Sequence, residues 1–166
     1  MIVRAYKVEE LKRHISEFLA FVEDPPNDEK CQILEKHLAI IYRDGLNLSN
    51  MVEPSTEEPE SIEYKTLRNE LEQNFQELGF YHKVLNIHEI SKEPELATGD
   101  ALDDLTDIVK DLKEILTLTD DNTFLWQLQF NFNSHFKEHL INLINYLNEL
   151  KRWIYLSMLW IQNTPN

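Results

Sequence analysis

Residues 100–116 read DALDDLTDIVKDLKEIL, and this stretch decides the fold class. Its apolar residues recur three and four positions apart, which is the spacing of one face of an α-helix. Asp103 and Asp104 lie in the first turn, where carboxylates interact favourably with the helix dipole. The stretch therefore predicts an amphipathic helix that begins near Asp100. Its apolar face consists of Leu102, Leu105, Ile108, Val109, Leu112, Ile115 and Leu116.

The C-terminal side of this helix predicts a turn and then a long helical region. Residues 117–122 read TLTDDN, a turn in which Asp121 or Asn122 would cap the next helix. Residues 123–161 contain no glycine or proline and keep one apolar face. A single helix of that length would measure about 60 Å, longer than a small bundle needs. We therefore expect a bend or a break between Asn142 and Asn148.

The sequence on the N-terminal side of residues 100–116 predicts three helices. The first covers residues 8–24 and ends at Pro25, because proline disfavours helical geometry in the residue before it. The second covers residues 29–44, with Asn27 or Asp28 as its cap and Gly45 as its C-terminal stop.

Residues 47–60 contain two prolines and several acids, and predict a loop. The third helix begins near Ser61, and Gly79 breaks or kinks it. Residues 80–85 (FYHKVL) predict either a short helical turn or an extended segment.

These segments predict one fold class. The chain has 166 residues, which fits one domain, and only three glycines, fewer than a fold of many short strands would need for its turns. Helices joined by short turns pack antiparallel. We expect an all-α antiparallel bundle of five or six helices that forms a single domain over residues 1–166.

The amino-acid composition limits which partners the protein can bind and in which cellular compartment it is expected. The 30 acidic and 16 basic residues give a net charge of −14, which repels nucleic acids and anionic membrane surfaces and favours a basic protein as partner. Cys31 is the single cysteine, so an internal disulfide is impossible. The N-terminus does not read as a signal peptide, and the longest apolar run, residues 153–161, is shorter than a membrane span. We expect a cytoplasmic protein that is a monomer, or a weak homodimer through residues 153–161.

A candidate polar cluster links the two longest helical regions. His135 and His139 are four residues apart and lie on one side of a helix. On a helical wheel, Asp104 and Asp111 flank the apolar stripe of the preceding helix, whereas Asp103 and Asp107 point away from it. One of the two flanking aspartates is the expected partner of His139 or of Trp126. The cluster consists of Asp104, Asp111, Trp126, His135 and His139.

Two interpretations of this cluster remain open. A carboxylate and an imidazole between helices form a metal site in some bundles, and in others a buried polar pair that fixes helix register. The order His-Phe-Lys-Glu-His lacks the His-Glu-x-x-His arrangement of zinc proteases, and no glycine-rich phosphate loop or Gly-x-Ser-x-Gly motif is present. We expect a structural pair, with no catalytic residue and no cofactor.

Residues 99–113 (GDALDDLTDIVKDLK) and 125–139 (LWQLQFNFNSHFKEH) carry a resemblance to a known family. They resemble a bacterial family of uncharacterised proteins, catalogued only as a domain of unknown function, with the pattern Gly-Asp-x-Leu-x-Asp-Ile-x-x-Asp-Leu-Lys, then Trp-x-x-x-Phe and His-x-x-x-His. Residues 41–48 and 79–86 are similar to the family in weaker form. The resemblance implies an all-α fold and no particular activity. The matching residues are Asp100, Asp104 or Asp107, Asp111, Trp126, Phe130 or Phe132, His135 and His139.

The sequence supports two functional hypotheses. The preferred one is a non-catalytic acidic module that binds proteins, with a basic partner. The alternative is a metal-binding protein or a metal-dependent hydrolase that uses His135, His139 and the aspartates of the preceding helix.

Overall fold

The structure is a computed structural model that describes the backbone of residues 2–48 and 56–163, and the side chains of residues 7–48 and 56–153. Its elements are α1 Ile2–Glu23, α2 Lys30–Leu46, α3 Tyr64–Asn74, β1 Phe80–Val84, β2 Leu96–Asp100, α4 Ala101–Leu116, α5 Asp121–Asn131, a π-helical segment Phe132–Phe136, and α6 Lys137–Asn163. The predicted all-α bundle is confirmed, with a small two-stranded hairpin added to it.

The helix α4 is the centre of the bundle. Ten of its sixteen residues are buried, because it packs against α1, α3, α5 and α6 at once. Its start agrees with the prediction: Asp100 is the N-cap, and its carboxylate accepts hydrogen bonds from the backbone of Leu102 at 3.0 Å and of Asp103 at 3.3 Å. Every apolar side chain on its predicted face except Leu116 is buried. The amphipathic pattern of α4 therefore specifies the layer on which the other helices assemble.

The hairpin of β1 and β2 separates α3 from α4. The strands pair antiparallel, with Tyr81 opposite Gly99 and Val84 opposite Leu96. The Asn86 side chain closes the connecting loop, since it donates to the carbonyl of Glu93 and accepts from the backbone of Glu95, each at 2.9 Å. The extended alternative for residues 80–85 is the one observed. Sequence reasoning missed β2, because Leu-Ala-Thr-Gly-Asp carries little alternation and no aromatic residue.

The predicted break in the last helical region was placed wrongly. The region is interrupted at Phe132–Phe136, where the backbone N–H of Lys137 donates to the carbonyl of Phe132, five residues earlier, and α6 then continues to Asn163. Asn133 and Ser134 explain the position, because their side chains donate to the carbonyls of Gln129 at 2.9 Å and Phe130 at 2.7 Å and compete with the helical ladder.

The π-helical segment also solves a packing problem. Leu128, Phe132, Phe136 and Leu140 are all buried and lie four residues apart. In a regular α-helix that spacing turns each side chain by about 40° relative to the one before. A wider π turn corrects this drift, so that consecutive large side chains face the same core.

Several predicted helix ends also need correction. Asp120, not Asp121 or Asn122, caps α5, and its carboxylate accepts from the backbone of Thr123 at 2.8 Å. The helix α2 is preceded by Glu29 with φ 58°, without a side-chain cap from Asn27 or Asp28. Three further helix ends differ from the sequence-based bounds: α1 begins at Ile2, α2 continues past Gly45, and α3 ends at Asn74 before Gly79.

Two predicted features lie partly or wholly outside the described residues. Of the predicted loop 47–60, residues 49–55 are outside them, and residues 56–60 contain no helix or strand. Of the apolar run 153–161, only the Trp153 side chain is described, and it is 70% exposed. The burial or pairing of this run therefore stays a prediction. Within the part of the chain that the structure describes, no helix has the length and hydropathy to cross a membrane.

Gly45 provides a test of the packing between α2 and the π-helical segment. A methyl group at Gly45 would overlap the ring of Phe132, whereas at Gly79 the nearest atom, Tyr146 Oη, would lie 3.8 Å away. We expect Gly45→Ala to cost about 1–3 kcal/mol from overpacking, reduced by about 0.5–1 kcal/mol from improved helix propensity. Urea unfolding measures this, with Gly79→Ala as the matched control. Equal stability of the two variants would show that Phe132 does not pack on Gly45.

Candidate metal site

The interface of α4 with the π-helical segment and α6 concentrates ionisable side chains. Asp104, Asp107 and Asp111 are spaced three and four residues apart on α4, so they share one side of the helix. His135 lies in the last turn of the π-helical segment, and His139 lies in the first turn of α6. Because α4 and α6 pack together, the three aspartates and the two histidines face each other across one interface.

Each histidine bonds to one buried aspartate. His139 Nδ1 lies 2.7 Å from Asp104 Oδ1, and His135 Nδ1 lies 2.8 Å from Asp111 Oδ2. An ionised carboxylate only accepts hydrogen bonds, so the Nδ1 atom of each ring carries the proton. In the neutral imidazole the lone pair is then on Nε2. The two aspartates therefore fix both the orientation of the rings and the nitrogen that is free to act as a ligand.

Asp107 completes a group of three donors. Its Oδ2 atom lies 3.5 Å from His139 Nε2, and one ligand atom from each of Asp107, His135 and His139 lies within 4.8 Å of the others. The two imidazole rings stand edge to face, with their centroids 5.1 Å apart. Asp107 and His139 are partly buried and His135 is exposed. The group is accessible from solvent on the His135 side.

Hydrogen bonding and burial shift the pKa values of this group. The hydrogen bond to Asp104 raises the pKa of His139 above its ordinary value of 6.5, burial opposes the shift, and the negative charge of Asp107 adds to it. Burial raises the pKa of Asp107 and of Asp111, and in both cases a nearby histidine opposes the shift. The interface thus favours an additional positive charge, which a proton or a metal ion can supply.

The hairpin contributes one more contact. The Tyr81 hydroxyl donates to Asp104 Oδ2 at 2.6 Å, so both oxygens of this buried carboxylate are hydrogen-bonded. Two neighbouring pairs on the same side of α4 involve residues nearer its start: Tyr64 with Asp103, and Arg68 with Asp100 at 2.8 Å.

The predicted cluster and the observed contacts differ at two residues. Asp104, Asp111, His135 and His139 meet in the two pairs, whereas Trp126 stacks on Phe130 with ring centroids 5.1 Å apart, and no described contact joins it to the pairs. Asp107 was placed away from the interface by the helical wheel, and this was wrong. A wheel treats one helix alone, and α6 lies close enough to reach a side chain at the margin of the apolar face.

The comparisons with known proteins place the chain in a family. The sequence profile of the family described as Domain of unknown function (DUF5063) matches residues 5–152. The chain belongs to this family, and the resemblance found in the sequence is confirmed.

A solved structure of another protein shares the fold. The crystal structure of protein BF1032 from Bacteroides fragilis aligns with a TM-score of 0.64 over 89% of this chain and 92% of that chain, at 21% sequence identity. The comparison with curated proteins found no match.

The Asp104–His139 pair predicts a specific pH dependence. Because the folded pKa of His139 is raised, its contribution to stability is complete below pH 6.5 and is lost as the pH rises through the folded pKa. In metal-free protein we expect the His139 titration, followed by NMR of the imidazole carbon-bound protons, to have its midpoint above 6.5. Asp104→Asn should lower this midpoint, because it removes the hydrogen-bonded charge.

Asp103→Asn is the control for this measurement. It removes one negative charge from the same turn of α4, while the described side-chain contacts of Asp103 are with Tyr64 and Arg68 and not with a histidine. A midpoint that moves equally in the two variants would mean that general charge, and not the contact with Asp104, sets the His139 pKa.

Proposed function

We propose that this protein binds a divalent transition-metal ion through Asp107, His135 and His139. The observation that carries the proposal is the convergence of three donor atoms within 4.8 Å, two of them on imidazoles whose Nδ1 atoms are already bonded to carboxylates. This supports the second of the two hypotheses drawn from the sequence.

The carboxylate that is hydrogen-bonded to Nδ1 of each histidine is the strongest support for metal binding. Histidines that bind metals almost always donate their other N–H to a carboxylate, a carbonyl or water, which fixes the ring and makes the ligating nitrogen more basic. Asp111 holds His135 in this way, and Asp104 holds His139. A purely structural pair needs one such contact. Two parallel pairs, with a third carboxylate 3.5 Å from the free nitrogen of His139, are better explained by a shared ligand.

The donor set indicates the class of metal. Two imidazole nitrogens and one carboxylate oxygen suit Zn²⁺, Fe²⁺ or Mn²⁺, whereas Mg²⁺ and Ca²⁺ prefer oxygen ligands alone. Bonds to zinc of about 2.0–2.2 Å require donors within about 3.5 Å of one another. Donors up to 4.8 Å apart must therefore move closer to one another when an ion binds.

Three protein ligands leave coordination positions for water. In zinc sites an open position distinguishes catalytic from structural centres, and a metal-bound water is the nucleophile of metal-dependent hydrolases. Binding of the ion is the function that the contacts support directly. Hydrolysis would be the reaction class to test once an ion is bound.

Thermal unfolding tests the proposal. Protein purified without an affinity tag and stripped with chelator should melt at a higher temperature when Zn²⁺, Mn²⁺ or Fe²⁺ is added, by about 2.7 kcal/mol of stabilisation at a hundredfold excess over the dissociation constant. The variants His135→Gln and Asp107→Asn should lose this response, because each removes one ligand.

His88→Gln is the matched control, since His88 is an exposed histidine on the hairpin loop and no part of the three-donor group. It should keep the wild-type response. A wild-type protein whose melting temperature does not change with any of the three ions, or a response that survives both ligand variants, would contradict the proposal.

A second observation favours protein binding, the hypothesis preferred from the sequence. The hairpin presents apolar side chains to solvent: Phe80 is 75% exposed, Ile87 82%, Ile90 100% and Leu96 62%. Several large apolar side chains exposed on one short segment favour an interaction site. We infer a partner with an apolar surface and a basic rim, since the chain carries a net charge of −14 and the same loop contains Glu93 and Glu95.

Capture experiments with a hairpin variant test this second function. Wild-type protein immobilised in a native lysate should retain a basic protein at low salt and release it at 1 M salt, where the Debye length is about 3 Å. The double variant Ile87→Asn, Ile90→Asn should not retain it. Leu46→Asn is the control, because Leu46 is also exposed but lies on α2. Equal retention by all three proteins would exclude the hairpin as the binding surface.

A further inference from the structure

A chain of hydrogen bonds connects the hairpin to the three-donor group. The Tyr81 hydroxyl, on β1, donates to Asp104 Oδ2 at 2.6 Å, and His139 Nδ1 donates to the other oxygen, Asp104 Oδ1, at 2.7 Å. His139 Nε2 then faces Asp107 Oδ2 at 3.5 Å. Burial and the nearby carboxylate raise the pKa of Tyr81, so the hydroxyl stays protonated and remains a donor.

Gly99 fixes the position of the Tyr81 ring. The two residues are opposite each other in the hairpin register, and a Cβ atom at Gly99 would overlap the tyrosine ring. Gly99 has no left-handed backbone conformation, so conformational freedom does not explain the glycine. Because Gly99 has no side chain, the Tyr81 ring has space to lie across β2. The ring also packs on Tyr146 of α6, with centroids 5.7 Å apart.

Asp104 needs this second donor to hold one orientation. A carboxylate can rotate about its Cβ–Cγ bond, and a single hydrogen bond to His139 would not prevent it. With Tyr81 on one oxygen and His139 on the other, the carboxylate plane is fixed at both ends. Asp104 is almost fully buried, so water has little access to replace either donor.

We propose that Tyr81 is a positioning residue of the metal site, which acts through Asp104 to hold the His139 ring with Nε2 toward the metal, and that Gly99 is required because it seats the Tyr81 ring. The proposal rests on the proposed metal-binding function. It makes the metal affinity depend on the docking of a hairpin that contributes no ligand.

Zinc affinity of conservative variants tests the proposal. Loss of a residue that orients a metal ligand typically weakens binding about 10–100-fold. Competition of the full-length, untagged protein with a chromophoric zinc chelator should show this loss for Tyr81→Phe, which removes only the hydroxyl. Gly99→Ala should weaken zinc binding as well, since it displaces the ring.

Tyr64→Phe is the matched control. It removes a tyrosine hydroxyl that also donates to an α4 carboxylate, Asp103, but that carboxylate bonds to no histidine among the described side chains. We expect its zinc affinity to stay within about threefold of the wild type, well below the loss expected for an orienting residue. Equal losses in Tyr64→Phe and Tyr81→Phe would overturn the proposal.

The tautomer of His139 provides a readout that does not require metal. In metal-free wild type, imidazole ¹⁵N shifts at a pH where the ring is neutral should show the proton on Nδ1, and Tyr81→Phe should shift the population toward Nε2–H. If the wild type binds no zinc, the metal-binding function fails and this measurement alone decides whether Tyr81 positions His139. An unchanged tautomer in Tyr81→Phe overturns the positioning role in either case.

Discussion

Two buried carboxylates, Asp104 and Asp111, determine how α4 meets α6. A buried charge without a partner costs several kcal/mol, so each of these side chains must find a donor on whatever packs against α4. His139 and His135 are those donors. The requirement fixes the rotation and the height of the second helix relative to the first, because an axial shift of one turn would break both pairs and leave at least one carboxylate without a histidine. The hairpin is held by the same requirement, through Tyr81.

The sequence predicted the helical architecture well where a helix buries a continuous apolar face. The face of α4 and its cap at Asp100 followed directly from periodicity and capping chemistry, and the flanking positions of Asp104 and Asp111 followed from the helical wheel. Periodicity could not locate the π-helical segment, since it depends on competition by Asn133 and Ser134 for two backbone carbonyls. It also could not locate β2, which is held mainly by its pairing with β1.

Only part of the candidate site could be predicted from the sequence, for a related reason. His135 and His139 stand out by their spacing, and their aspartate partners by their place beside the apolar face. Asp107 and Tyr81 belong to the site only because of contacts between distant parts of the chain. Asp107 reaches His139 because α6 packs close to α4, and Tyr81 reaches Asp104 from a hairpin that no local pattern predicts. The three aspartates at intervals of three and four residues, opposite two histidines four apart, are the signal that could have identified Asp107.

The π-helical segment has a consequence for how this chain tolerates a change in length. A π turn closes its hydrogen bond over five residues, one more than an α-helical turn. Deleting one of the exposed residues Asn133 and Ser134 would turn the five-residue hydrogen bond from Lys137 to Phe132 into the four-residue bond of an ordinary α-helix. Leu140, Leu143 and His139 would then keep nearly the same direction relative to α5, so the core and the pairing of His139 with Asp104 would both remain. A residue lost from the regular part of α6 has no such compensation, because it rotates everything after it by about 100°.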